Sequence, residues 1–291
     1  KSRISAWQFI KTNARLYFST VSQIEREDFK DASRDSDDTA AIIFSRGRTD
    51  EPKAVELSHK NITANVESIL LAYDLRGSDT VMAVAPLFHA FGYTGTFWLP
   101  LIAGLGTVNH YDPYQGEKIG KLIRKYKATT LLATPKMLQL YTEGNASREH
   151  FQSLKYVATG AEKLKPGVRE AFEKKFGKEI YEGYGSTELS PVATANVASY
   201  RENGKIIQRG NLPGSVGRPP TGIAVRVVDP ATLELRVPGE EGLLLVKGAN
   251  VMKGYFQRPD LTAAAIKDGW YHTGDTGKRD EEGQLYITQN H

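Results

Sequence analysis

The stretch that decides the fold runs from residue 129 to residue 185, where four segments alternate in character. In chain order they are TTLLAT (129–134), LKYVATG (154–160), PGVREAFEKKF (166–176) and KEIYEGYG (178–185). Three are apolar runs of strand length, and the third is typical of a helix, with Pro at its start and Gly177 just past its end. Strands that alternate with helices of this length predict βαβ units and a mostly parallel sheet.

The pattern extends toward the N-terminus. TAAIIFS (39–45) is a short apolar strand, and the turn-rich RGRTDEPK (46–53) is predicted to be a loop between that strand and a helix that begins near Ser58. Further elements are predicted as a strand at 80–85, a glycine-punctuated helix at 92–104, a strand at 106–110, a helix at 116–126 and a helix after Pro135.

The character changes from about residue 206. Two segments lie between Pro and Gly turns, AVRVVD (224–229) and EGLLLVKG (241–248). Their apolar residues either alternate with polar ones or follow one another, and helical signals are few. This part is predicted to be a smaller β-rich, barrel-like subdomain. The fold class is therefore α/β: mostly parallel sheet flanked by helices, plus the β-rich subdomain. The predicted divisions are a leader and linker (1–38), an α/β core (39–205) and the β-rich part (206–288).

Composition limits the function. The 291 residues contain no Cys, which excludes disulfides, thiolate metal ligands and a cysteine nucleophile. The net charge is +4, and residues 1–34 hold seven basic and four acidic side chains, so +3 of it lies in these 34 residues. The remaining chain is nearly neutral, and a nucleic-acid partner is not expected. No secretory signal is visible, and we expect a cytoplasmic protein.

Two segments raise a membrane question. Residues 5–21 have the spacing of a short amphipathic helix, either docked on the body of the protein, which we favour, or in contact with a membrane surface. The span between Asp79 and Asp112 carries no charged residue and is long enough to cross a bilayer. Pro and Gly interrupt that span, which favours a buried strand–turn–helix that lines an apolar pocket.

Common catalytic signatures are missing. The chain has no G-x-x-x-x-G-K sequence of a P-loop, no G-x-S-x-G elbow and no H-E-x-x-H helix. Its six His show no metal-ligand spacing. The G-Y-G at 183–185 meets Glu188 where a dinucleotide fingerprint needs Gly.

Three segments remain, each with a functional and a structural interpretation. SRGRTDEPK (45–53) either presents N–H groups, hydroxyls and Lys53 to phosphate or is a surface turn. GYGSTE (183–188) either offers an aromatic face and a hydroxyl to a nucleotide and a hard carboxylate oxygen to Mg²⁺, or is a capped tight turn. WYHTGD (270–275) either presents a carboxylate to ribose hydroxyls or is an Asp turn.

Taken together, these segments resemble the adenylate-forming, acyl-activating enzymes in order and spacing. FSRGRTDEPKAVELSHKN resembles their phosphate loop, APLFHAFG (85–92) their P-L-F-H segment, YEGYGSTE (181–188) their G-Y-G-x-T-E motif and GWYHTGD (269–275) their G-W-x-x-T-G-D motif. TGAEKLK (159–165) and NVMKGY (250–255) are most similar to long-chain acyl-CoA or acyl–acyl-carrier-protein synthetases, including the synthetase half of 2-acylglycerophosphoethanolamine acyltransferases.

The resemblance implies a two-step reaction: a carboxylate attacks ATP to give an acyl-adenylate, and a thiol then displaces AMP. It implies ATP and Mg²⁺ as cofactors, a carboxylic acid as substrate, most simply a long-chain fatty acid, and CoA or a carrier protein's phosphopantetheine as acceptor. The implied catalytic residues are Thr187, Glu188, His89 and Lys53, with Glu188 holding Mg²⁺.

The remaining site residues follow from the same resemblance. Tyr184 would stack on adenine beside Gly160, Ala161 and Glu162, and Asp275 would hold the ribose. The other implied nucleotide contacts are Ser45, Gly47, Thr49 and Gly185. His89 would lie at the carboxylate end of an acyl pocket, with Phe91, Gly92 and Gly95 in its wall; the alternative is a histidine satisfied in the core.

The phosphate loop departs from the family pattern at Arg46, Arg48, Asp50 and Ala54. Asp50 replaces a glycine and puts a negative charge beside polyphosphate. This favours an alternative in which the chain binds nucleotide and acyl group but is catalytically impaired. The resemblance also implies further sequence before the phosphate loop and a C-terminal domain after a hinge near Gln289.

Overall fold

The computed structural model describes residues 35–45, 51–203 and 205–289. Residues 39–291 form one compact unit, and residues 35–38 belong to a separate unit, Lys1–Asp38. The leader helix predicted for residues 5–21 lies outside the described residues. The strands are β1 (Thr39–Ser45), β2 (Lys53–Ser58), β3 (Thr80–Ala83), β4 (Gly106–Asn109), β5 (Thr130–Leu132), β6 (Tyr156–Thr159), β7 (Ile180–Gly185), β8 (Val192–Ala195), β9 (Tyr200–Glu202), β10 (Lys205–Gln208), β11 (Ile223–Val228), β12 (Gly242–Gly248), β13 (Gly254–Tyr255), β14 (Ile266–Lys267), β15 (Trp270–Arg279) and β16 (Leu285–Gln289).

The helices lie mainly between the parallel strands. They are α1 (His59–Ala72), α2 (Ala90–Gly92), α3 (Leu99–Ala103), α4 (Gly116–Tyr126), α5 (Pro135–Glu143), α6 (Pro166–Phe176) and α7 (Pro259–Ala265). The sequence predicts α4 and α6 with the same bounds. For α6 the reason is visible at both ends: Pro166 occupies the first turn, and Gly177 takes a left-handed φ of 67° that ends the helix.

The central sheet has six strands in the order β4-β3-β5-β6-β7-β8. The first five are parallel, and β8 returns antiparallel to β7. The α/β, mostly parallel architecture predicted from the sequence is therefore confirmed. The strand order reverses between β3 and β5, and in open α/β sheets such a switch point marks where ligands bind.

Both faces of this sheet are buried, which is why its strands are continuous apolar runs. Met82 and Leu131 face a core that includes Ile119, Phe172 and Phe176 of α4 and α6. The residues adjacent to these two in their strands are Val81 and Leu132. They face Val66 of α1 and Leu99 of α3 on the other side of the sheet. The alternation follows from the two-residue repeat of a strand.

The helix predicted for residues 92–104 is broken into three pieces: α2, a π-helical segment (Tyr93–Trp98) and α3. Pro100 has no N–H to donate, and the N–H of Leu99 bonds the carbonyl of Thr94, five residues back. A wider turn at this point is the expected consequence. Among the described residues, no helix has the length and hydropathy needed to cross a membrane.

The remaining strands are antiparallel. β11, β12, β15, β14 and β16 form one sheet, which confirms the β-rich character predicted after residue 206. The prediction that residues 46–53 connect a strand directly to a helix was wrong. β2 intervenes and pairs with β1 as a hairpin, with Ser45 opposite Lys53, and β2 also pairs with the distant β13.

Glycine is required at position 185, where the chain turns back on itself. A Cβ built on Gly185 would lie 1.8 Å from the carbonyl oxygen of Pro191. We expect Gly185→Ala to lower the free energy of unfolding by about 1–3 kcal/mol, because the backbone must move to admit the methyl group. Urea denaturation measures the loss.

Gly167→Ala is the matched control, since a Cβ at Gly167 meets nothing within 4 Å. It lies in the first turn of α6 and should change stability by no more than about 1 kcal/mol. Equal effects of the two substitutions would contradict the close approach at Gly185.

Candidate functional site

A cavity of about 590 Å³ opens beyond the carboxyl ends of β5, β6 and β7. Its far wall is β15 of the antiparallel sheet, so it lies where the two sheets meet. The volume falls in the usual range for a small-molecule site.

The three segments singled out in the sequence converge on this cavity. Lys53 of β2, Tyr184 of β7 and Asp275 of β15 all line it, although more than 200 residues separate the first from the last. Of the sequence-predicted site residues, those that line the cavity are Ser45, Lys53, His89, Phe91, Gly95, Gly160, Ala161, Tyr184, Gly185, Thr187, Glu188 and Asp275.

The other four predicted residues are Gly47, Thr49, Gly92 and Glu162. Gly47 and Thr49 lie outside the described residues. Gly92 is buried but does not line the cavity: a Cβ there would lie 2.1 Å from the carbonyl oxygen of Pro86, so its place in the fold is a close backbone approach. Glu162 is exposed on the loop after β6 and is not part of the cavity wall.

Tyr184 and Asp275 are joined directly. The Tyr184 hydroxyl donates to Asp275 Oδ2 at 2.6 Å, and both side chains are buried. Burial, followed by the Asp275 carboxylate, raises the pKa of Tyr184 well above its ordinary value, so the phenol stays protonated as a donor. The N–H of Asp275 donates to Thr273 Oγ1 at 3.0 Å, so a side chain of the same strand holds the Asp275 backbone.

Glu188 is the buried acidic group at the other side of the cavity. Its Oε1 accepts from Ser45 Oγ and from the Tyr255 hydroxyl, each at 3.1 Å. Lys53 Nζ lies 5.1 Å from the centroid of the Tyr255 ring, within reach of a cation–π contact. Burial raises the pKa of Tyr255, and the Glu188 charge adds to that effect.

The donor set around Glu188 bears on metal binding. In the part of the chain that the structure describes, no group of three or more His, Asp or Glu side chains is placed to hold a metal ion. Mg²⁺, however, commonly uses one or two carboxylates together with water and substrate phosphates. Glu188 therefore fits a Mg²⁺ ion that arrives with a nucleotide, and a site built wholly from protein ligands does not fit.

His89 lies on the apolar side of the cavity. Its Nδ1 accepts from the N–H of Phe91 at 3.2 Å, which leaves Nε2 as the donor in the neutral ring. Partial burial lowers the pKa of His89 below its ordinary 6.5, so the ring is neutral at pH 7. The wall beside it is apolar, with Ile69, Leu99 and Leu132 contributed by three elements.

Sequence reasoning missed several residues of the site. Tyr255, Tyr271 and Thr273 line the cavity together with the predicted set. For Tyr271 and Thr273 a signal existed, since both lie in the WYHTGD segment that contains Asp275. Tyr255 ends the NVMKGY segment (250–255), but its place in the cavity follows from the pairing of β13 with β2.

Comparison with known proteins identifies the family. The AMP-binding enzyme family matches residues 4–256, which is most of the chain. The chain belongs to this family.

Its relatives are mainly CoA ligases. A long-chain-fatty-acid–CoA ligase of Bacillus subtilis (strain 168) is 36% identical over 255 residues, covering 86% of this chain and 43% of the relative. An oxalate–CoA ligase of Arabidopsis thaliana is 30% identical over 254 residues, covering 86% of this chain and 48% of the relative. This chain spans less than half the length of these two curated relatives.

Solved structures share the fold. ATP-bound MatB from Rhodopseudomonas palustris superposes with a TM-score of 0.78 at 29% identity, covering 87% of this chain and 48% of that one. O-succinylbenzoate coenzyme A synthetase (MenE) from Bacillus subtilis, in complex with ATP and a magnesium ion, gives a TM-score of 0.76 at 26% identity, with coverage of 88% and 51%.

The Tyr184–Asp275 bond generates a stability prediction. Tyr184→Phe should lower the free energy of unfolding at pH 7 by about 1.5–3 kcal/mol, because it removes a hydrogen bond to a buried carboxylate. Tyr286→Phe is the control: its hydroxyl also donates to an aspartate, Asp280 at 3.1 Å, but in a partly exposed setting. That loss should stay below about 1 kcal/mol.

Chemical denaturation of both variants gives the two losses. A Tyr184→Phe variant as stable as the wild type, or no less stable than Tyr286→Phe, would contradict the placement of a buried phenol–carboxylate pair at the floor of this cavity.

Proposed function

We propose that this chain is the nucleotide- and acid-binding core of an acid–thiol ligase. It would activate a carboxylic acid with ATP as an acyl-adenylate and then pass the acyl group to a thiol. The observation that carries the proposal is the convergence of Lys53, Tyr184, Glu188 and Asp275 on one cavity. The family membership and the ATP-bound neighbours support the same chemistry.

The nucleotide is assigned to the side of the cavity between the two sheets. Adenine stacks on Tyr184 and lies against Gly160 and Ala161, where the loop after β6 is free of bulk. Ala161 holds a left-handed φ of 69°, which bends that loop sharply as it leaves the sheet. The Asp275 carboxylate accepts from the ribose hydroxyls.

The phosphates are assigned to the Ser45–Thr187 side. The hydroxyl of Thr187 and the ammonium of Lys53 donate to phosphate oxygens. The Ser45 O–H, which donates to Glu188 in this structure, joins them when it turns away from that carboxylate. Bringing an anionic acid to ATP costs electrostatic repulsion, and Lys53 offsets part of it. A Mg²⁺ ion held by Glu188 would supply further charge neutralisation and polarise a phosphoryl oxygen.

The acid is assigned to the apolar side. Ile69, Leu99 and Leu132 can hold a hydrocarbon chain, and Phe91 and Gly95 continue that wall. Neutral His89 donates from Nε2 to the acid's carboxylate. This hydrogen bond orients the carboxylate, and because the ring is uncharged no ion pair forms. The apolar lining and the name of the Bacillus relative favour a long-chain fatty acid over a short diacid such as oxalate.

The acceptor thiol must come from outside, because the chain has no Cys. CoA is the acceptor named for the relatives, and the pantetheine of an acyl carrier protein has the same reactive group. We place the enzyme in the cytoplasm, with residues 5–21 as the candidate contact to a membrane. We retain the division into leader (1–38), α/β core (39–205) and β-rich part (206–288).

One sequence feature favours a second candidate function. Asp50 and the arginines at 46 and 48 replace residues that the family uses around phosphate. Under this alternative the chain binds ATP and acyl group but does not complete adenylation. The two candidates share the same cavity and differ in whether pyrophosphate is exchanged into ATP.

The proposal predicts a specific loss of nucleotide affinity. Asp275→Ala should weaken binding of ATP by about 10- to 100-fold, since hydrogen bonds to a charged group contribute about 1.5–3 kcal/mol. Asp229→Ala is the control: it removes an aspartate paired with Arg236 on the antiparallel sheet, away from the cavity. Isothermal titration calorimetry of the chain with ATP and Mg²⁺ measures both.

The same titration tests the acid side. A hexadecanoyl-adenosine sulfamate, which mimics the adenylate, should bind at least about tenfold more tightly than the acetyl analogue, because each buried CH₂ contributes about 0.8 kcal/mol. Equal affinities would contradict a fatty acid substrate. Unchanged ATP affinity in Asp275→Ala would contradict the assigned nucleotide site.

A further inference from the structure

Helix α1 carries a stripe of polar residues on a buried face. Asn61, Asn65 and Ser68 follow one another at intervals of four and three residues, so they lie along one side of the helix. All three are buried, with Asn65 wholly inaccessible. Buried amides and hydroxyls are unfavourable unless they are hydrogen-bonded, so the stripe requires an explanation.

The two ends of the stripe bond backbone carbonyls of distant loops. Asn61 Nδ2 donates to the carbonyls of Ala249 at 2.8 Å and Val251 at 2.7 Å. Ser68 Oγ lies 2.8 Å from the carbonyl of Thr221 and 2.8 Å from that of Ala64 in the preceding turn, and its one O–H serves both acceptors. Side chains of α1 therefore supply hydrogen-bond partners to backbone segments that lie outside any sheet.

Asn65, in the middle, bonds both backbone groups of one residue. Its Nδ2 donates to the carbonyl of Val192 at 2.8 Å, and its Oδ1 accepts from the N–H of Val192 at 3.2 Å. This is the pair of bonds that a neighbouring strand would make, and it fixes Val192 in both distance and orientation.

Val192 closes the turn that carries Thr187 and Glu188. The buried Asn250 donates to the carbonyl of Leu189 at 2.9 Å and to that of Val192, which Asn65 also bonds, at 3.2 Å. The N–H of Met252 donates to the carbonyl of Glu188 at 2.8 Å. The turn is thus held from two sides, by α1 and by the loop between β12 and β13.

The loop on the second side is itself held by α1. Asn61 bonds residues 249 and 251, which flank Asn250 in the chain. One face of α1 therefore bonds both groups that hold the Thr187–Glu188 turn: Val192 through Asn65, and the loop that carries Asn250 through Asn61. Fixing a reactive group to within a fraction of an ångström is what preorganised sites require.

We propose that Asn65 is a positioning residue, which sets the Thr187–Glu188 turn against the cavity through Val192. It touches no ligand and acts through the turn it holds. The functional part of this inference rests on the proposed nucleotide site, whereas the structural part stands by itself.

The experiment compares Asn65→Leu with Ser68→Ala. The first keeps the branched shape of the side chain, with a larger volume, and removes both bonds to Val192. The second removes a bond from the same buried stripe that goes to Thr221, away from the turn. Asn65→Ser is the milder alternative should the leucine variant fail to fold.

The first measurement is hydrogen–deuterium exchange of a peptide covering residues 186–195. In either Asn65 variant we expect exchange there to rise by about tenfold or more, since the N–H of Val192 loses its acceptor. In Ser68→Ala exchange over these residues should stay within about twofold of the wild type. Equal acceleration in both variants, or none in the Asn65 variants, would overturn the proposal.

The second measurement is the gain in ATP affinity on adding Mg²⁺, obtained by calorimetry with and without the ion. A misplaced Glu188 should reduce that gain by about fivefold or more in the Asn65 variants, whereas a mere loss of global stability leaves the ratio unchanged. Wild-type chain that binds no ATP would refute the proposed function, and the exchange measurement would then decide the positioning claim alone.

Discussion

The hydrogen bond between the Tyr184 hydroxyl and Asp275 joins two sheets that otherwise have different architectures. Tyr184 ends the parallel run of the central sheet, and Asp275 lies in the middle of the longest antiparallel strand. The cavity opens beside this bond, and both side chains belong to its lining. Under the proposed function the Tyr184 ring is the flat surface for adenine and the Asp275 carboxylate is the acceptor for the ribose.

The charge of the site follows from this junction. Two carboxylates, Glu188 and Asp275, are buried in a cavity whose described lining contributes a single lysine, Lys53. Such a site is better suited to hydroxyl groups and to a cation-bound polyphosphate than to a bare anion. The sequence between β1 and β2 holds Arg46 and Arg48 against Asp50 and Glu51, so it adds no net charge to the site.

Much of the fold could be predicted because its elements are locally encoded. α4 and α6 have apolar spacing and end signals within their own residues, so their bounds follow from the sequence. The β1–β2 hairpin could not be predicted in this way. Its second strand begins at Lys53, within the turn-rich stretch predicted to be a loop, and it pairs with β1 and also with β13, some 200 residues later. The π-helical segment likewise depends on Pro100 and on the crowded approach of Gly92 to the loop before it.

The site shows the same division. Tyr184, Glu188 and Asp275 stand in motifs, and Asn65 does not. It looks like an ordinary polar residue in the sequence, because what it bonds is backbone from elsewhere in the chain. Asn250 belongs to the NVMKGY segment (250–255), but nothing in that segment predicts its bond to the carbonyl of Leu189. A local pattern indicates which side chains bear chemistry, and only the fold indicates which ones keep them in place.

A crystal structure of the chain with AMP bound tests the central claim most directly. The account predicts adenine against the Tyr184 ring beside Gly160 and Ala161, with a ribose hydroxyl within about 3.2 Å of an Asp275 oxygen. Binding of AMP anywhere outside this cavity, or within it with the ribose turned away from Asp275, would contradict the claim that these distant segments form one adenylate site.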